Sequence, residues 1–203
     1  VRSLEAGFLG SWHPAQVIHC GDFTRLVQYD HILNDEGSAQ LIETVNASPA
    51  IDGRCDDNAE TPYTYRGMLR PSPPICELDS RSLRYGQCID FLHKDGWWEG
   101  VIFDKKDGCQ QRRIFFPDMG DELKGRVREM RLTQDWDEVS EEWRPRGNWQ
   151  LLDLIEEFQK GKPLPVSVMQ IWYDVRSKSD FNAKLCEWTT SRWDIWRDLV
   201  SQV

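Results

Sequence analysis

The hydrophobic positions of this chain change their period once, near residue 140, and that change divides the sequence into a β-rich part and a helical part. Before it, short alternating runs are separated by turn signals. Ser11-Trp12-His13-Pro14-Ala15-Gln16-Val17-Ile18 follows Gly10 and reads as a strand. Gly21-Asp22 turns the chain into Leu26-Val27-Gln28-Tyr29, and Asn34-Asp35-Glu36-Gly37 turns it again into Leu41-Ile42-Glu43-Thr44-Val45. Residues 52–62 are polar and Asp-rich, a loop pattern, and Pro71-Ser72-Pro73-Pro74 reads as a stiff extended linker.

A second set of strands repeats the first in outline. Gln87 to Phe91, Trp97 to Phe103 and Arg112 to Phe116 alternate. Lys94-Asp95-Gly96 and Lys106-Asp107-Gly108 turn between them. Pro117-Asp118-Met119-Gly120-Asp121 reads as a loop, and Val127 to Leu132 closes the unit. Side by side, Trp12-His13 falls on Trp97-Trp98, Tyr29 on Phe116, and Leu69-Arg70 on Met130-Arg131. Short strands at regular spacing predict a small barrel, and two copies predict tandem barrels. Beyond residue 140 the apolar residues recur at helical spacing. Trp149, Leu152, Ile155 and Phe158 form one face, ended by Gly161, and Val168, Ile171, Trp172 and Val175 form another. Phe181, Leu185 and Trp188 predict a third helix. Ser191 is placed to cap a fourth carrying Trp193, Trp196, Leu199 and Val200. The expected fold is mainly β with an α-helical tail: a first barrel over 1–75, a second over 76–137 and a helical module over 138–203.

Composition makes these small cores feasible. Only 39% of the residues are hydrophobic, but ten Trp and eight Phe make that content bulky. The net charge of −9 is spread over all three segments. That argues against non-specific nucleic-acid binding, which needs concentrated Lys and Arg, and suits a basic partner. The six cysteines form no CxxC pair and the histidines do not join them at ligand spacing, so neither a zinc site nor a disulfide framework is expected. No apolar run approaches the ~18 residues of a membrane span. There is no Gly-rich phosphate loop and no nucleophile motif, so no catalytic residue, cofactor or metal is expected.

Two ordered sets of residues, one in each unit, resemble the Agenet, or plant Tudor-like, family of the Royal superfamily. Gly10 to Val17, Val27-Gln28-Tyr29 and Leu69 to Pro74 carry the likeness in the first unit. His93 to Val101, Ile114-Phe115-Phe116 and Leu132 carry it in the second. The resemblance implies five-stranded SH3-like barrels that bind methylated lysine or arginine on histone tails, or act as protein-interaction modules. It also implies a nuclear location and chromatin partners. Phe116 to Glu122 and Gln134 to Asp137 are similar to a narrower group, large plant nuclear proteins that carry PHD fingers and an acetyltransferase-like domain and act in active DNA demethylation.

A methylated ammonium keeps its charge but loses hydrogen-bond donors, so a reader needs converging aromatic faces and usually one acid. Alternation puts Trp98, Gly100 and Ile102 on the barrel-facing side and Trp97, Glu99 and Val101 on the other. The expected cage is Trp98 and Phe116 with an acid from Asp118 or Asp121. Phe91 or His93 forms a third wall, and Met119 lies in the loop. In the first unit His13, Tyr29, Asp30 and Asp35 form a poorer, secondary site. Trp12 and Trp97 face away from the interiors and are expected to pack between barrels. The expected function is histone-tail reading, for a methylated lysine on H3. Two alternatives stay open: a DNA-binding module using Lys105, Lys106, Arg112, Arg113, Lys124, Arg126, Arg128 and Arg131, and a methyl-independent interaction platform.

Overall fold

A computed structural model describes residues 1–47, 68–74, 78–137, 140–161, 166–181, 188 and 193–202. The Asp-rich loop at 52–62, most of the third expected helix and the Ser191 cap lie outside those residues. The first sheet is antiparallel, with β2 (Ala15–Cys20), β3 (Thr24–Leu33) and β4 (Gln40–Asn46) in the order β2-β3-β4. Ala15 faces Tyr29 and Val17 faces Val27 across the β2–β3 ladder, and a register shift between Val17 and His19 bends the edge. Val27, Tyr29 and Val45 are buried on the inner face, a small core completed by Ala15, Ile32, Leu41 and Leu69.

The second sheet is larger. β5 (Cys88–His93), β6 (Gly96–Ile102), β7 (Gln111–Phe116), β8 (Asp121–Arg126) and β9 (Met130–Leu132) run in the order β8-β7-β6-β5-β9. A two-residue strand, β1 (Ser11–Trp12), pairs with β6, with Ser11 opposite Trp98 and Trp12 opposite Trp97. The stretch expected as one strand from Ser11 to Ile18 is therefore split at His13-Pro14, a proline that cannot donate to a ladder. Its first two residues join the second sheet and the rest opens the first. A β10 (Gln134–Asp137) and β11 (Glu142–Pro145) hairpin follows, where no strands were expected beyond Leu132.

The period-two alternation sorts the second sheet between two cores. Ile89, Phe91, Trp98, Ile102, Ile114 and Phe116 point inward. Cys88, Val101 and Phe115, on the opposite face, join the helices. Those helices are α1 (Gln150–Gly161), α2 (Val168–Arg176) and α3 (Trp193–Ser201). Ser167 caps α2 by accepting from the Gln170 N–H at 3.1 Å. Trp149 is the hub of this core, with Phe115, Trp172, Trp188 and Trp196 at ring-centroid distances of 6.0, 5.2, 5.4 and 6.5 Å.

The two units meet through a buried ionic cluster that respects the repeat. Arg70 lies 3.8 Å above the Trp12 ring and Arg131 lies 4.0 Å above Trp97, and both guanidinium groups reach Asp90, at 3.5 and 2.9 Å. Trp12 donates its indole N–H to Glu99 at 2.7 Å, and Arg146 reaches Glu99 at 3.3 Å and Asp135 at 2.5 Å. Trp12 thus packs between the units, while Trp97, opposite it in the ladder, is half-buried under Arg131 of its own unit.

Candidate functional site

The mouth of the second barrel holds a cavity of about 500 Å³. Trp98 and Phe116 form its walls, with His93, Met119 and Asp121 around them. The hairpin turn at Lys94 and Asp95, both at positive φ, returns the chain from β5 to β6 and sets His93 beside the Trp98 ring at 6.4 Å. Trp98 is anchored by its indole N–H, which donates to the His93 carbonyl at 2.7 Å. Phe116 closes β7, and Asp121 sits opposite it at the start of β8. A four-residue turn between them brings Met119 to the rim. Glu122 also lines the cavity and takes a two-point ion pair from Arg113, 2.7 Å on each arm.

Other expected cage residues occupy different places. Phe91 is buried beneath the cavity, stacked on His93 at 6.0 Å and tilted against Phe116 at 6.3 Å. It supports the walls and does not line them. Asp118 turns away, accepting the Trp188 indole N–H at 2.9 Å and facing Gly10. Between the two carboxylates in the loop, Asp121 is the one at the cavity. Phe8, absent from the expected set, arrives from the first unit and lies 5.9 Å from the Trp98 ring. Its place is set by a tight turn in which Ser11 donates both its N–H and its hydroxyl to the Phe8 carbonyl, at 3.1 and 2.6 Å.

A second cavity, of about 510 Å³, opens on the first sheet; Phe8 lines this one, and Lys94 lines both. His13, Tyr29 and Glu43 form its inner wall. The Tyr29 hydroxyl donates to the Glu43 carboxylate in a short bond; burial and that carboxylate push the phenol well up. His13 is buried against Gly96, its Nε2 2.9 Å from the Ser11 hydroxyl, and burial pushes its pKa down. A neutral imidazole there avoids the repulsion an imidazolium would bring to a cation. Asp30 and Asp35 do not line this cavity. Asp30 uses its backbone to bond Pro14 and Gln40, and Asp35 is exposed in the β3–β4 turn. Glu43 supplies the acid instead. Alternation along β4, with Leu41, Glu43 and Val45 on one face, was the signal for it.

Several of the basic residues suited to DNA contact are paired with carboxylates. Arg112 is buried on Asp104 at 2.8 Å, Lys105 meets Glu156 at 2.6 Å, and Arg131 is held by Asp90. Lys106, Lys124, Arg126 and Arg128 are exposed.

Comparison with known proteins assigns this architecture. Residues 1–74 match the Agenet domain. The Arabidopsis thaliana Protein AGENET DOMAIN (AGD)-CONTAINING P1 is 26% identical over 153 residues, 71% of this chain and 26% of the relative. DUF724 domain-containing protein 6 of the same plant is 30% identical over 109 residues, 52% of this chain and 13% of the relative. This chain therefore spans about a quarter or less of these curated relatives. Among solved structures, the crystal structure of Arabidopsis thaliana AGDP1 AGD34 superposes with a TM-score of 0.53 at 26% identity, covering 71% of this chain and 84% of that one. The ADCP1 tandem Agenet domain 3-4 superposes at 0.50 and 25%, covering 67% and 80%. Both superpositions extend beyond the 74 residues of the domain match, so the likeness is to a tandem. The fold is a tandem Agenet, Tudor-like β architecture with a helical C-terminal part.

Proposed function

We propose that this Agenet tandem is a nuclear chromatin reader that holds a methylated lysine of a histone tail, on H3, in the second-barrel cavity. One observation carries the reading: Trp98, Phe116 and His93 converge with Asp121 on a single cavity of about 500 Å³. Each methyl removes one N–H donor from the lysine ammonium but leaves its charge, and each favourable aromatic face attracts that cation by about 0.5–2 kcal/mol. Asp121 adds attraction for the retained charge and an acceptor for any remaining N–H. The acidic balance of the chain favours a basic tail. The context we propose is that of plant nuclear proteins acting in active DNA demethylation, alongside other chromatin proteins.

The test is a titration of the whole chain against histone peptides in each methylation state at two salt concentrations. Selective binding of one methylated peptide, lost in Trp98→Ala and Phe116→Ala variants that remain folded, is the expected result. Unchanged affinity in both variants removes the cage. Binding of all states alike would instead mark a methyl-independent platform. Binding to duplex DNA with steep salt dependence would mark the DNA reading, against which the pairing of Arg112, Arg113 and Arg131 with carboxylates already argues.

A further inference from the structure

The turn from Phe116 to Asp121 presents three side chains to the cavity and its polar groups to the helical module. Inside the turn, the N–H groups of Gly120 and Met119 both donate to the Phe116 carbonyl, at 2.7 and 3.2 Å. Its other acceptors are taken from outside. The Pro117 carbonyl receives the Trp172 indole N–H at 3.2 Å and the Arg176 guanidinium at 3.0 Å. The Gly120 carbonyl receives the Tyr173 hydroxyl at 2.6 Å. The Asp118 carboxylate receives the Trp188 indole N–H at 2.9 Å. The approach is close: a Cβ on Gly120, at φ +81°, would stand 3.2 Å from the Tyr173 hydroxyl.

From these contacts we infer that α2 is a positioning element of the recognition loop, so that the C-terminal helices are a working part of the reader. The inference rests on the second-barrel cavity being the methyl-lysine site. Three residues of α2, Trp172, Tyr173 and Arg176, point their donors at one four-residue turn. Trp172 is locked in the helical core at 1% exposure, so the core fixes where those donors stand. A cation held by ring faces is sensitive to wall placement, because a displaced ring loses the favourable side of its quadrupole. Phe116, Met119 and Asp121 all belong to the turn or its two ends, so a loosened turn moves one wall and the acid together. Trp98, on β6, stays in place. The effect is therefore on discrimination between methylation states more than on peptide docking.

The experiment uses the whole chain carrying Tyr173→Phe together with Arg176→Met. Tyr173 is 41% exposed and Arg176 only partly buried, so neither change opens the core. Two readouts are taken. Amide hydrogen exchange across residues 118–121 should accelerate while exchange in β5 and β6 does not. The affinity for the methylated peptide should weaken by about three- to thirtyfold, with a much smaller change for the unmethylated one, as expected from losing two hydrogen bonds to the turn. Arg176→Lys, which keeps a donor, should recover part of the selectivity. Unchanged exchange in the turn overturns the inference. So does faster exchange with the methylated-to-unmethylated affinity ratio intact, or an equal loss for both peptides. Should the double variant not fold, Tyr173→Phe alone is read by the same two measurements. A wild-type chain with no methyl preference refutes the reader itself, while the exchange measurement still reports separately whether α2 holds the turn.

Discussion

Glu99 stands with its side chain out of contact with solvent between the Trp12 indole N–H and two guanidinium groups, Arg146 at 3.3 Å and Arg70 at 3.9 Å. Removing a partner from a buried ionic cluster leaves the others without compensation, typically about 3–5 kcal/mol. Glu99→Ala should therefore lower the unfolding free energy by that order in urea denaturation; a loss under ~1 kcal/mol would mean that water replaces the carboxylate. Asp104 makes a different prediction, through pH. Burial alone raises its pKa, but the N–H groups of Arg113 and Lys106 and the Arg112 guanidinium outweigh burial and hold it below its ordinary 3.8. A carboxyl with a depressed folded pKa stabilises the fold above its unfolded value and loses that contribution as pH falls through the folded one. Wild-type stability should thus fall below about pH 4 more steeply than that of Asp104→Asn, the two curves converging in acid. Parallel curves would show that Asp104 contributes nothing through its charge. At this scale Trp98 and Phe116 were legible because strand alternation fixes which face a residue occupies. The choice of Asp121 over Asp118 was not, since it depends on a tryptophan seventy residues away. Phe8 was not either, because a loop residue reaching another unit leaves no periodic trace.

Elements were legible where an apolar stripe repeats and silent where it does not. The helices at 150–161 and 168–176 follow from three- and four-residue spacing, although Phe158, expected on the buried face, is 40% exposed near the end of its helix. β8 is DELKGR, whose one buried residue is Gly125, so nothing in its composition marks a strand. Its role is to let Phe91 lie against bare backbone, in the space a Cβ at Gly125 would occupy. β1 was hidden differently: its sequence reads as a strand, but its partner could not be known before the units were docked. That docking has a specific weak point. Gly10 has φ +81°, and a Cβ there would lie 2.5 Å from the Asp118 carboxylate, while its carbonyl accepts the Glu99 N–H at 2.9 Å. Gly10→Ala should cost about 1–3 kcal/mol through backbone strain and overpacking together. Chemical denaturation checks this, and an undiminished midpoint would show that β1 is not held tightly on β6.

Across the whole molecule there are three hydrophobic cores, and the second sheet contributes to two of them. Cys88, Val101 and Phe115 belong to strands of the second barrel yet are buried among the helices, with Phe115 stacked on Trp149 at 6.0 Å. Further along the same outer face, Arg70 ties the first unit to β5 through Asp90, and β1 pairs with the edge of β6. The second sheet is thus the shared wall of everything else, and its outer face cannot be exposed without opening both the helical core and the ionic cluster. Cooperative unfolding follows when no part can leave without uncovering apolar area and buried charge in another. The melting of helix and strand signals in circular dichroism should therefore coincide with the tryptophan fluorescence transition. Trp149→Ala, which empties the hub of the helical core, should lower both together by about 3–5 kcal/mol. If the helical signal were instead lost first, with the near-ultraviolet signature of Trp98 and Trp12 intact, the helices would be a separable module. The recognition turn would then have to keep its shape without the donors of α2.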